Sequence, residues 1–206
     1  MFAASGTTSQ RRAALFAVAD GQAGYFTAKQ AEAAGYSRRM HTYSAQQGAW
    51  RHVGHGLYRL EQYPDTPHEP YVQLSLWSRD HQDEPQGVLG FDTALMLHDL
   101  SDLMPDRVHL VVPPGFRKRP PPGVVLHRGV LPEADLQPAQ GYCLTTPLRT
   151  LLDLAGSDLS PEHLHQGLRE ALERGLVRRR KLEERLGDPT LDPTARRRLL
   201  AALENL

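Results

Sequence analysis

Residues 9–18 place the apolar Leu15, Phe16 and Val18 on one side, with two arginines near the start, so this stretch is predicted to form an amphipathic helix. A second, alanine-rich helix is predicted after it, because Thr27 is a good N-cap and Gly35 can adopt the left-handed conformation that ends helices. Ser37 is expected to cap a third helix, which stops at Gly48. Three residues separate the second and third helices, and this spacing is typical of a helix-turn-helix.

Two short apolar and aromatic runs follow the third helix, on either side of a Gly-His-Gly sequence at residues 54–56. Trp50 and Val53 lie in the first run, and Leu57 and Tyr58 lie in the second. Glycines on both sides of a histidine permit a tight reversal, so the two runs are predicted to pair as a small hairpin. Helices followed by such a hairpin predict a winged helix-turn-helix.

A polar stretch with three prolines, residues 62–70, is predicted to mark a domain boundary. Beyond this stretch, the apolar pattern predicts both strands and helices. Strands are predicted at 107–112 and 124–127, and Thr146-Pro147 is typical of a helix start. Helices are predicted from Ser160 onward, because leucines recur there at helical spacing.

The predicted fold class is therefore α+β. It consists of an N-terminal winged helix-turn-helix domain, residues 1–62, followed by a mixed α/β domain with a helical C-terminal tail, residues 68–206. The proline-rich loop between the two predicted strands carries Arg117, Lys118 and Arg119. These side chains are interpreted as the solvated tip of a hairpin, and phosphate contact is the alternative.

The composition fits a globular protein, since 40% of the 206 residues are hydrophobic and 23% are charged. The single cysteine, Cys143, rules out an internal disulfide and a cysteine-based metal site, which favours a reducing compartment. Residues 1–6 lack the basic and apolar regions of a secretory leader, and no apolar run approaches the ~20 residues that span a bilayer. A cytoplasmic protein without membrane contact is expected, and the sequence leaves its oligomeric state open.

The formal net charge of zero hides an asymmetry along the chain. Residues 1–62 carry seven lysines and arginines against three acidic residues, whereas residues 63–104 carry one arginine against eight acidic residues. Phosphate neutralisation is local to the surface that contacts DNA. A basic N-terminal domain on an acidic second domain therefore favours a DNA-binding module attached to a domain that does not bind DNA.

The third predicted helix is the best candidate for reading DNA bases, because the major groove admits one helix whose N-terminal residues reach base edges. Arginine can bridge guanine O6 and N7, and glutamine can bridge adenine N6 and N7. Polar residues near the hairpin are candidates for phosphate or minor-groove contact. The candidate DNA-binding residues are Ser37, Arg38, Arg39, Thr42, Tyr43, Gln46, Arg51, His55 and Arg59. The alternative is that they form an ordinary solvated surface.

The sequence contains no pattern typical of a catalytic or metal site, so no enzyme activity, cofactor or metal is predicted. His52 and His55 have the spacing of two metal ligands, but no cysteine or suitably spaced acidic residue completes a site. The motifs of restriction-type nucleases, nucleotidyltransferases and phosphate-binding glycine loops are absent. The basic run at 178–181 is expected to pair with glutamates of its own helix, and His98 is expected to be a hydrogen-bonded core residue.

Several short motifs occur in a fixed order in the first domain: Gly24-Tyr25-Phe26, Thr27-Ala28, Ala31, Gly35, Ser37-Arg38, Gly48, Trp50-Arg51, Val53, Gly56 and Tyr58-Arg59. This order resembles the winged-helix domain of AbiEi-type antitoxins. Such proteins usually have large apolar residues in the third helix where this chain has His41 and Ala45. Either Met40 and Tyr43 supply the buried face of that helix, or the helix docks loosely.

A comparable series follows in the second domain: Ala94, His98, Val108-His109-Leu110, Val125, His127-Arg128, Thr146, Arg149-Thr150-Leu151 and Asp153-Leu154-Ala155. This series resembles the body of AbiEi-like antitoxins. The resemblance implies a DNA-binding transcriptional autorepressor that is the antitoxin of a type IV toxin-antitoxin system and is not an enzyme. Its implied partners are double-stranded operator DNA and a nucleotidyltransferase-type toxin, countered without a stable complex.

Two alternatives to this function stay open. In the first, the chain is a stand-alone winged-helix regulator whose C-terminal domain binds a ligand or a partner protein. In the second, it is a catalytically inactive, nuclease-like defence protein that keeps only the scaffold of its relatives.

Overall fold

The computed structural model describes residues 7–206. The expectation that the chain lacks a secretory leader rests on residues 1–6, and these lie outside the described residues. The chain divides into two compact units. The head unit comprises the residues up to Gly87 together with Ala139–Tyr142, and the body unit comprises Val88–Pro138 and Cys143–Leu206.

The head unit contains a winged core and one further helix. Its elements are α1 (Thr8–Asp20), β1 (Tyr25–Thr27), α2 (Ala28–Ala33), α3 (Arg38–Gln46), β2 (Trp50–Gly54), β3 (Leu57–Leu60) and α4 (Glu69–Trp77). The strands form an antiparallel sheet in the order β1-β3-β2, with Tyr25 opposite Arg59 and Trp50 opposite Leu60. This arrangement confirms the predicted winged helix-turn-helix and its hairpin.

Local signals explain where the head helices begin and end. Thr7 with Gln10 forms a capping box at α1, and Thr27 with Gln30 forms another at α2. Gly35 has a φ of 93°, a conformation that other residues rarely adopt, and this turn separates α2 from α3. Ser37 occupies the N-cap position of α3, but its side chain makes no capping hydrogen bond and stays exposed.

Two small apolar clusters form the interior of the head unit. In the first, Leu15 of α1 packs with Phe26 of β1 and Trp50 of β2. In the second, Val72 and Leu76 of α4 pack with Ala23, Tyr25 of β1 and Leu57 of β3. The fourth helix is therefore part of the head interior and not of the body.

The head unit consequently extends beyond the boundary predicted at residues 62–70. Arg59 Nη2 lies 2.9 Å from Asp65 Oδ1 and 2.7 Å from Glu69 Oε1, so the proline-rich stretch is fixed to β3. The division between the units falls after Gly87 instead. The prolines mark a docked segment because ion pairs to the buried side chain of Arg59, which composition does not reveal, hold the stretch in place.

The body unit is a mixed sheet with helices. Its elements are β4 (Val88–Leu89), α5 (Phe91–Leu97), β5 (Val108–Val112), β6 (Val124–Arg128), a 3₁₀ turn (Glu133–Asp135), β7 (Leu136–Ala139), β8 (Tyr142–Thr145), α6 (Pro147–Ala155), α7 (Pro161–Glu173), α8 (Arg179–Leu186) and α9 (Pro193–Glu204). The strand order is β6-β5-β4-β8-β7. The turn joining β7 and β8, with the adjoining ends of both strands, belongs to the head unit.

Strands β5 and β6 are parallel, with Val108 opposite Val124 and Val112 opposite Arg128. The proline-rich segment between them, residues 113–123, is therefore a crossover connection. The prediction from sequence that its basic residues form the tip of a hairpin is wrong. Parallel neighbours need a long connection, and the five prolines of this segment cannot donate to a strand ladder. Phe116, in the middle of the segment, is buried.

The helical tail has the predicted form, and its helices bury one contiguous cluster rich in leucine. Leu151 and Leu154 of α6 lie at its centre with Leu168 of α7 and Leu199 of α9. The start of α6 is also confirmed, because the Thr146 hydroxyl accepts from the Arg149 amide and proline occupies the first turn.

Candidate nucleic-acid interface

The inner face of α3 is closed by a histidine. His41 is 3% exposed, and its ring lies among Trp50 and Tyr58 at centroid distances of 5.5 and 5.7 Å. Its Nε2 lies 3.1 Å from the Tyr36 carbonyl oxygen. Tyr43 is 64% exposed, so the alternative in which Met40 and Tyr43 together supply the buried face of α3 is wrong. The helix docks through His41 itself, at the position where a large apolar residue is usual.

The outer face of α3 brings most of the predicted base-reading residues together. They are all exposed, and their spacing of one, four, five and eight residues places them on one side of the helix: Arg38, Arg39, Thr42, Tyr43 and Gln46. Ser37 is exposed immediately before them. This face offers guanidinium, hydroxyl, phenol and amide groups, which are the groups that hydrogen-bond to base edges and phosphates.

The two arginines at the start of α3 differ in their partners. Arg38 Nε lies 2.9 Å from Glu32 Oε1 of α2, and both side chains are solvated. An exposed pair of this kind contributes about 0–1 kcal/mol, so a phosphate can displace it at low cost. Among residues 7–206, Arg39 has neither an ion pair nor a hydrogen-bond partner through its side chain.

The hairpin β2–β3 forms the wing, and His55 is exposed at its tip. Gly56, with a φ of 63°, provides the left-handed residue of the turn. Arg79 Nη2 donates to the His55 carbonyl oxygen at 3.1 Å, and Arg79 Nε pairs with Asp83 at 2.9 Å. The wing tip is thus held from outside the hairpin by Arg79, the one arginine of the acidic segment 63–104.

Arg51 lies on the outer strand of the wing and is exposed. Its guanidinium forms a bidentate pair with Glu61, at 3.0 and 2.7 Å. Hydrogen bonding to this carboxylate raises the pKa of Arg51, and hydrogen bonding to Arg51 lowers the pKa of Glu61. Contact with a DNA phosphate therefore requires exchange of one anionic partner for another.

Arg59 does not belong to this surface, although the sequence analysis includes it. Its side chain is 1% exposed, because it points into the head unit beneath the wing. The guanidinium donates to Glu69, Asp65 and the carbonyl oxygens of Tyr63 and Pro64. A buried guanidinium with these partners cannot reach a phosphate, and its role is structural.

The same network includes Tyr25, whose hydroxyl donates to Glu69 Oε2 at 2.8 Å. Burial, together with this carboxylate, raises the pKa of Tyr25 to about 12. Burial acts to raise the pKa of Glu69, but the hydrogen bonds from Tyr25 and the Thr66 amide, with the charge of Arg59, outweigh it and lower that pKa. The network is therefore ionised at Glu69 and neutral at Tyr25 near neutral pH.

A further cation lies beside the turn between α2 and α3. Arg11 Nη1 lies 3.7 Å from Met40 Sδ, and the Arg11 side chain packs against Gly35. In the sequence, Arg11 is one of the basic residues of the N-terminal domain. Its position at the start of an amphipathic helix indicates partial burial, but the contact with α3 depends on tertiary packing.

Comparison with known protein families decides how this surface is classified. Residues 13–61 match a family described as "Transcriptional regulator, AbiEi antitoxin", and residues 87–203 match "AbiEi antitoxin C-terminal domain". The second match spans more than half of the 206 residues. The chain belongs to the AbiEi antitoxin family.

The first AbiEi match contains the whole of α3 and the wing, so the candidate surface lies within the segment described as a transcriptional regulator. The matched families are described as antitoxins and regulators, not as enzymes. Membership supports DNA binding, transcription regulation and a place in a toxin-antitoxin system.

Comparison with individual proteins adds little to the AbiEi assignment. Among solved structures, the chain is similar to the RV2827C protein from Mycobacterium tuberculosis, with 18% identity and a TM-score of 0.47, over 99% of this chain and 80% of that chain. A likeness at this level carries no functional argument. No curated protein matches the chain.

Other predicted features of this AbiEi-family chain have structural roles. Arg179 pairs with Glu183, and Arg180 pairs with Glu184, at 3.1 and 2.9 Å along α8, which confirms the intrahelical interpretation of the basic run. His98 is buried with Nε2 2.7 Å from the Thr145 carbonyl oxygen, which confirms a hydrogen-bonded core histidine.

Within residues 7–206, no group of three or more histidine, cysteine, aspartate and glutamate side chains is placed to hold a metal ion. In the same part of the chain, every helix is too short or too polar to cross a bilayer.

Proposed function

We propose that this AbiEi-family chain binds the operator of its own operon in the cytoplasm and represses transcription. The observation that carries the proposal is the outer face of α3, on which five exposed polar or aromatic side chains share one side of the helix. In a winged helix-turn-helix this helix enters the major groove. Transcriptional regulation by the family matched over residues 13–61 supports the same role.

Within that proposal, the residues divide into two groups. Arg38 and Arg39, in the first turn of α3, read base edges, because the N-terminal residues of a recognition helix lie deepest in the groove. Arg51 and His55, on the wing, contact the DNA backbone. Base contacts discriminate between sequences, whereas backbone contacts raise the affinity for all sequences.

The test is binding of full-length protein to a fluorescent duplex from the promoter region of its own operon. Arg39→Ala should weaken specific binding by ~1–3 kcal/mol while leaving binding to a scrambled duplex nearly unchanged. Arg51→Ala should weaken binding to both duplexes and reduce the salt dependence by roughly one counterion. Arg179→Ala, an exposed glutamate-paired arginine on α8, is the matched control and should bind as wild type. Wild-type affinity for both head variants would contradict the proposed surface.

The pair between Arg38 and Glu32 offers a sharper test of the same surface. Glu32→Gln removes the anion that competes with DNA for Arg38. This variant should bind the promoter duplex as tightly as wild type or up to about fivefold more tightly, since an exposed pair is worth less than 1 kcal/mol. Weaker binding by Glu32→Gln would show that Arg38 does not face the DNA.

We further propose that the chain is the antitoxin of a type IV system and counters a nucleotidyltransferase-type toxin without a stable complex. The match of residues 87–203 to the antitoxin C-terminal domain supports a protective role for the body unit. The test is growth rescue during expression of the neighbouring toxin gene. A full-length Arg38→Ala/Arg39→Ala variant should lose repression and keep protection. Loss of both by a folded variant would show that protection depends on DNA binding.

A further inference from the structure

The outer face of α1 carries an exposed aromatic side chain beside a cavity. Phe16 is 52% exposed, and its ring lies 6.5 Å from that of Tyr63. The adjoining cavity has a volume of about 820 Å³ and is lined by Phe16, Tyr36, Trp50, Leu60 and Tyr63. All of these residues belong to the head unit. An exposed phenylalanine next to an aromatic cavity is a combination that a binding surface explains.

Two charged residues of α1 line the same cavity, at equal distances from Phe16. Arg12 precedes Phe16 by four residues and Asp20 follows it by four, which places the backbone of each residue about 6 Å from that of Phe16 along the helix axis. A second copy of α1, lying antiparallel with Phe16 at the two-fold axis, would place Arg12 beside the partner's Asp20. The same rotation would place Asp20 beside the partner's Arg12. The face is therefore complementary in charge to itself.

Both charged groups are available for this pairing. Among residues 7–206, the Arg12 side chain has no hydrogen bond or ion pair. Asp20 accepts from the Tyr63 hydroxyl at 3.0 Å through Oδ1, and the residue is exposed to solvent. Ala13 and Ala17, which flank Phe16 on the exposed side, are small enough to let two helix backbones approach closely.

An interface with two-fold symmetry requires each copy to present both a projection and a cavity on the same patch. Phe16 supplies the projection, and the space that it borders is large enough for another phenylalanine ring. The patch therefore fulfils the geometric condition for pairing with itself. A small-molecule ligand of the cavity would explain the aromatic lining but not the symmetric placement of opposite charges around Phe16.

We propose that two copies of this chain associate through antiparallel α1 helices, with the two Phe16 rings packed into the two cavities and two Arg12–Asp20 pairs across the axis. The patch spans the nine residues from Arg12 to Asp20, about two and a half helical turns. A contact of this length lies at the low end of interface sizes, where associations are weak and transient, so we expect a dissociation constant in the micromolar range.

The test is sedimentation equilibrium of the full-length protein without DNA, between about 1 and 200 µM, a range that covers dissociation constants in the micromolar range. Arg12→Asp places two aspartates opposite each other at both ends of the interface and should weaken dimerisation by at least about tenfold. Asp20→Arg should do the same through opposed arginines. The double variant Arg12→Asp/Asp20→Arg restores both pairs and should dimerise within about threefold of wild type.

The double reversal does not disturb the helix. It places a carboxylate in the first turns of α1 and a cation in the last turn, which is the favourable arrangement for the helix dipole. Loss of the Asp20 side chain leaves the Tyr63 hydroxyl hydrogen-bonded to the Asp20 backbone carbonyl at 3.2 Å. Thermal unfolding of the double variant should therefore match wild type.

Phe16→Asp should abolish dimerisation at every concentration in this range. Met104→Asp, which changes an 81% exposed apolar residue of the body unit, is the matched control and should dimerise as wild type. A wild-type protein that stays monomeric to 200 µM would overturn the proposal. A dimer that is insensitive to Phe16→Asp, or that the double reversal fails to restore, would overturn it as well. Because DNA is absent from the assay, neither outcome depends on the proposed function.

Discussion

The interiors of the head and body units are held together by different interactions. The head has two separate apolar clusters, and between its sheet and α4 it buries the guanidinium of Arg59 with Glu69 and Tyr25. The body has one contiguous leucine-rich cluster that runs through α6, α7 and α9. A buried ion pair is directional and fixes one arrangement of the elements that it joins, whereas leucine packing contributes more free energy and less geometric selectivity.

This difference corresponds to what each unit presents to solvent. The head displays the outer face of α3 and the wing, and both depend on the positions of short elements that offer little apolar surface. Fixing β3 to α4 through Arg59 holds the base of the wing without enlarging the apolar interior. The following predictions test whether the two units really depend on different forces.

The largest effect is expected from Leu151→Ala in the body. Leu151 is fully buried at the centre of the leucine cluster, so the cavity left behind should cost ~3–5 kcal/mol of unfolding free energy. Both tryptophans, Trp50 and Trp77, belong to the head unit, so tryptophan fluorescence reports on the head alone. Hydrogen exchange should accelerate in the body helices far more than in the head. Leu200→Ala, at a 45% exposed position of α9, should cost less than about 1 kcal/mol.

Arg59→Met should have the next largest effect, and in the head. It leaves Glu69, whose side chain is 18% exposed, without its cation and should cost ~2–4 kcal/mol. The tryptophan fluorescence transition in urea should shift accordingly. The double variant Arg59→Met/Glu69→Gln should recover part of the loss, because the uncompensated charge is gone. Arg51→Met, which breaks a solvent-exposed pair, should leave the urea transition close to that of wild type. Equal losses from Arg51→Met and Arg59→Met would contradict the proposed role of burial.

A smaller effect is expected on the pH dependence of stability in the body unit, through His127. Burial, followed by repulsion from His109, lowers the pKa of His127 in the body to about 4. The unfolded chain, with a histidine pKa of about 6.5, binds this proton more readily, so the stability contributed by neutral His127 is present above about pH 6.5 and is lost as the pH falls toward 4. Because the ring is half-buried, we expect ~1–2 kcal/mol. His127→Gln should flatten the pH dependence of exchange in β5 and β6, and an unchanged slope would contradict this assignment.

The smallest effect should come from Tyr25→Phe in the head. It removes one hydrogen bond to Glu69 and should cost ~1 kcal/mol at neutral pH. The raised pKa of Tyr25, about 12, means that its stabilising contribution is present below about pH 10 and is lost as the pH rises toward 12. Urea unfolding of the wild type, followed by tryptophan fluorescence, should therefore show a loss of stability at alkaline pH that the Tyr25→Phe variant does not show. The same loss in both proteins would assign it to another group.

Local features of the chain were predictable from sequence because their causes are local. The capping residue Thr27, the glycine turn at Gly35 and the reversal at 54–56 act within a few residues, and the structure confirms each of them. The start of α6 at Thr146-Pro147 is a further example. The exposed face of α3 follows from helical spacing once the helix is placed.

Tertiary pairings were not predictable in the same way. Arg59 looks like any other basic residue of the wing, and only the docking of α4 shows that Glu69 faces it. The parallel pairing of β5 with β6 depends on how the sheet is ordered, whereas the sequence shows only two apolar runs and a proline-rich connection. The burial of His41 was not predictable either. A histidine at a position that is usually apolar is shown to be buried only by its contacts with the rings of Trp50 and Tyr58.

The turn that joins β7 and β8 belongs to the head, although most of the body follows it in the chain. The polypeptide therefore passes between the units three times, after residues 87, 138 and 142. A recombination event that joined one head to another body at a single crossover would separate residues 139–142 from the unit to which they belong. Exchange of whole units between related genes is thereby disfavoured, and the head and the body are expected to be inherited together.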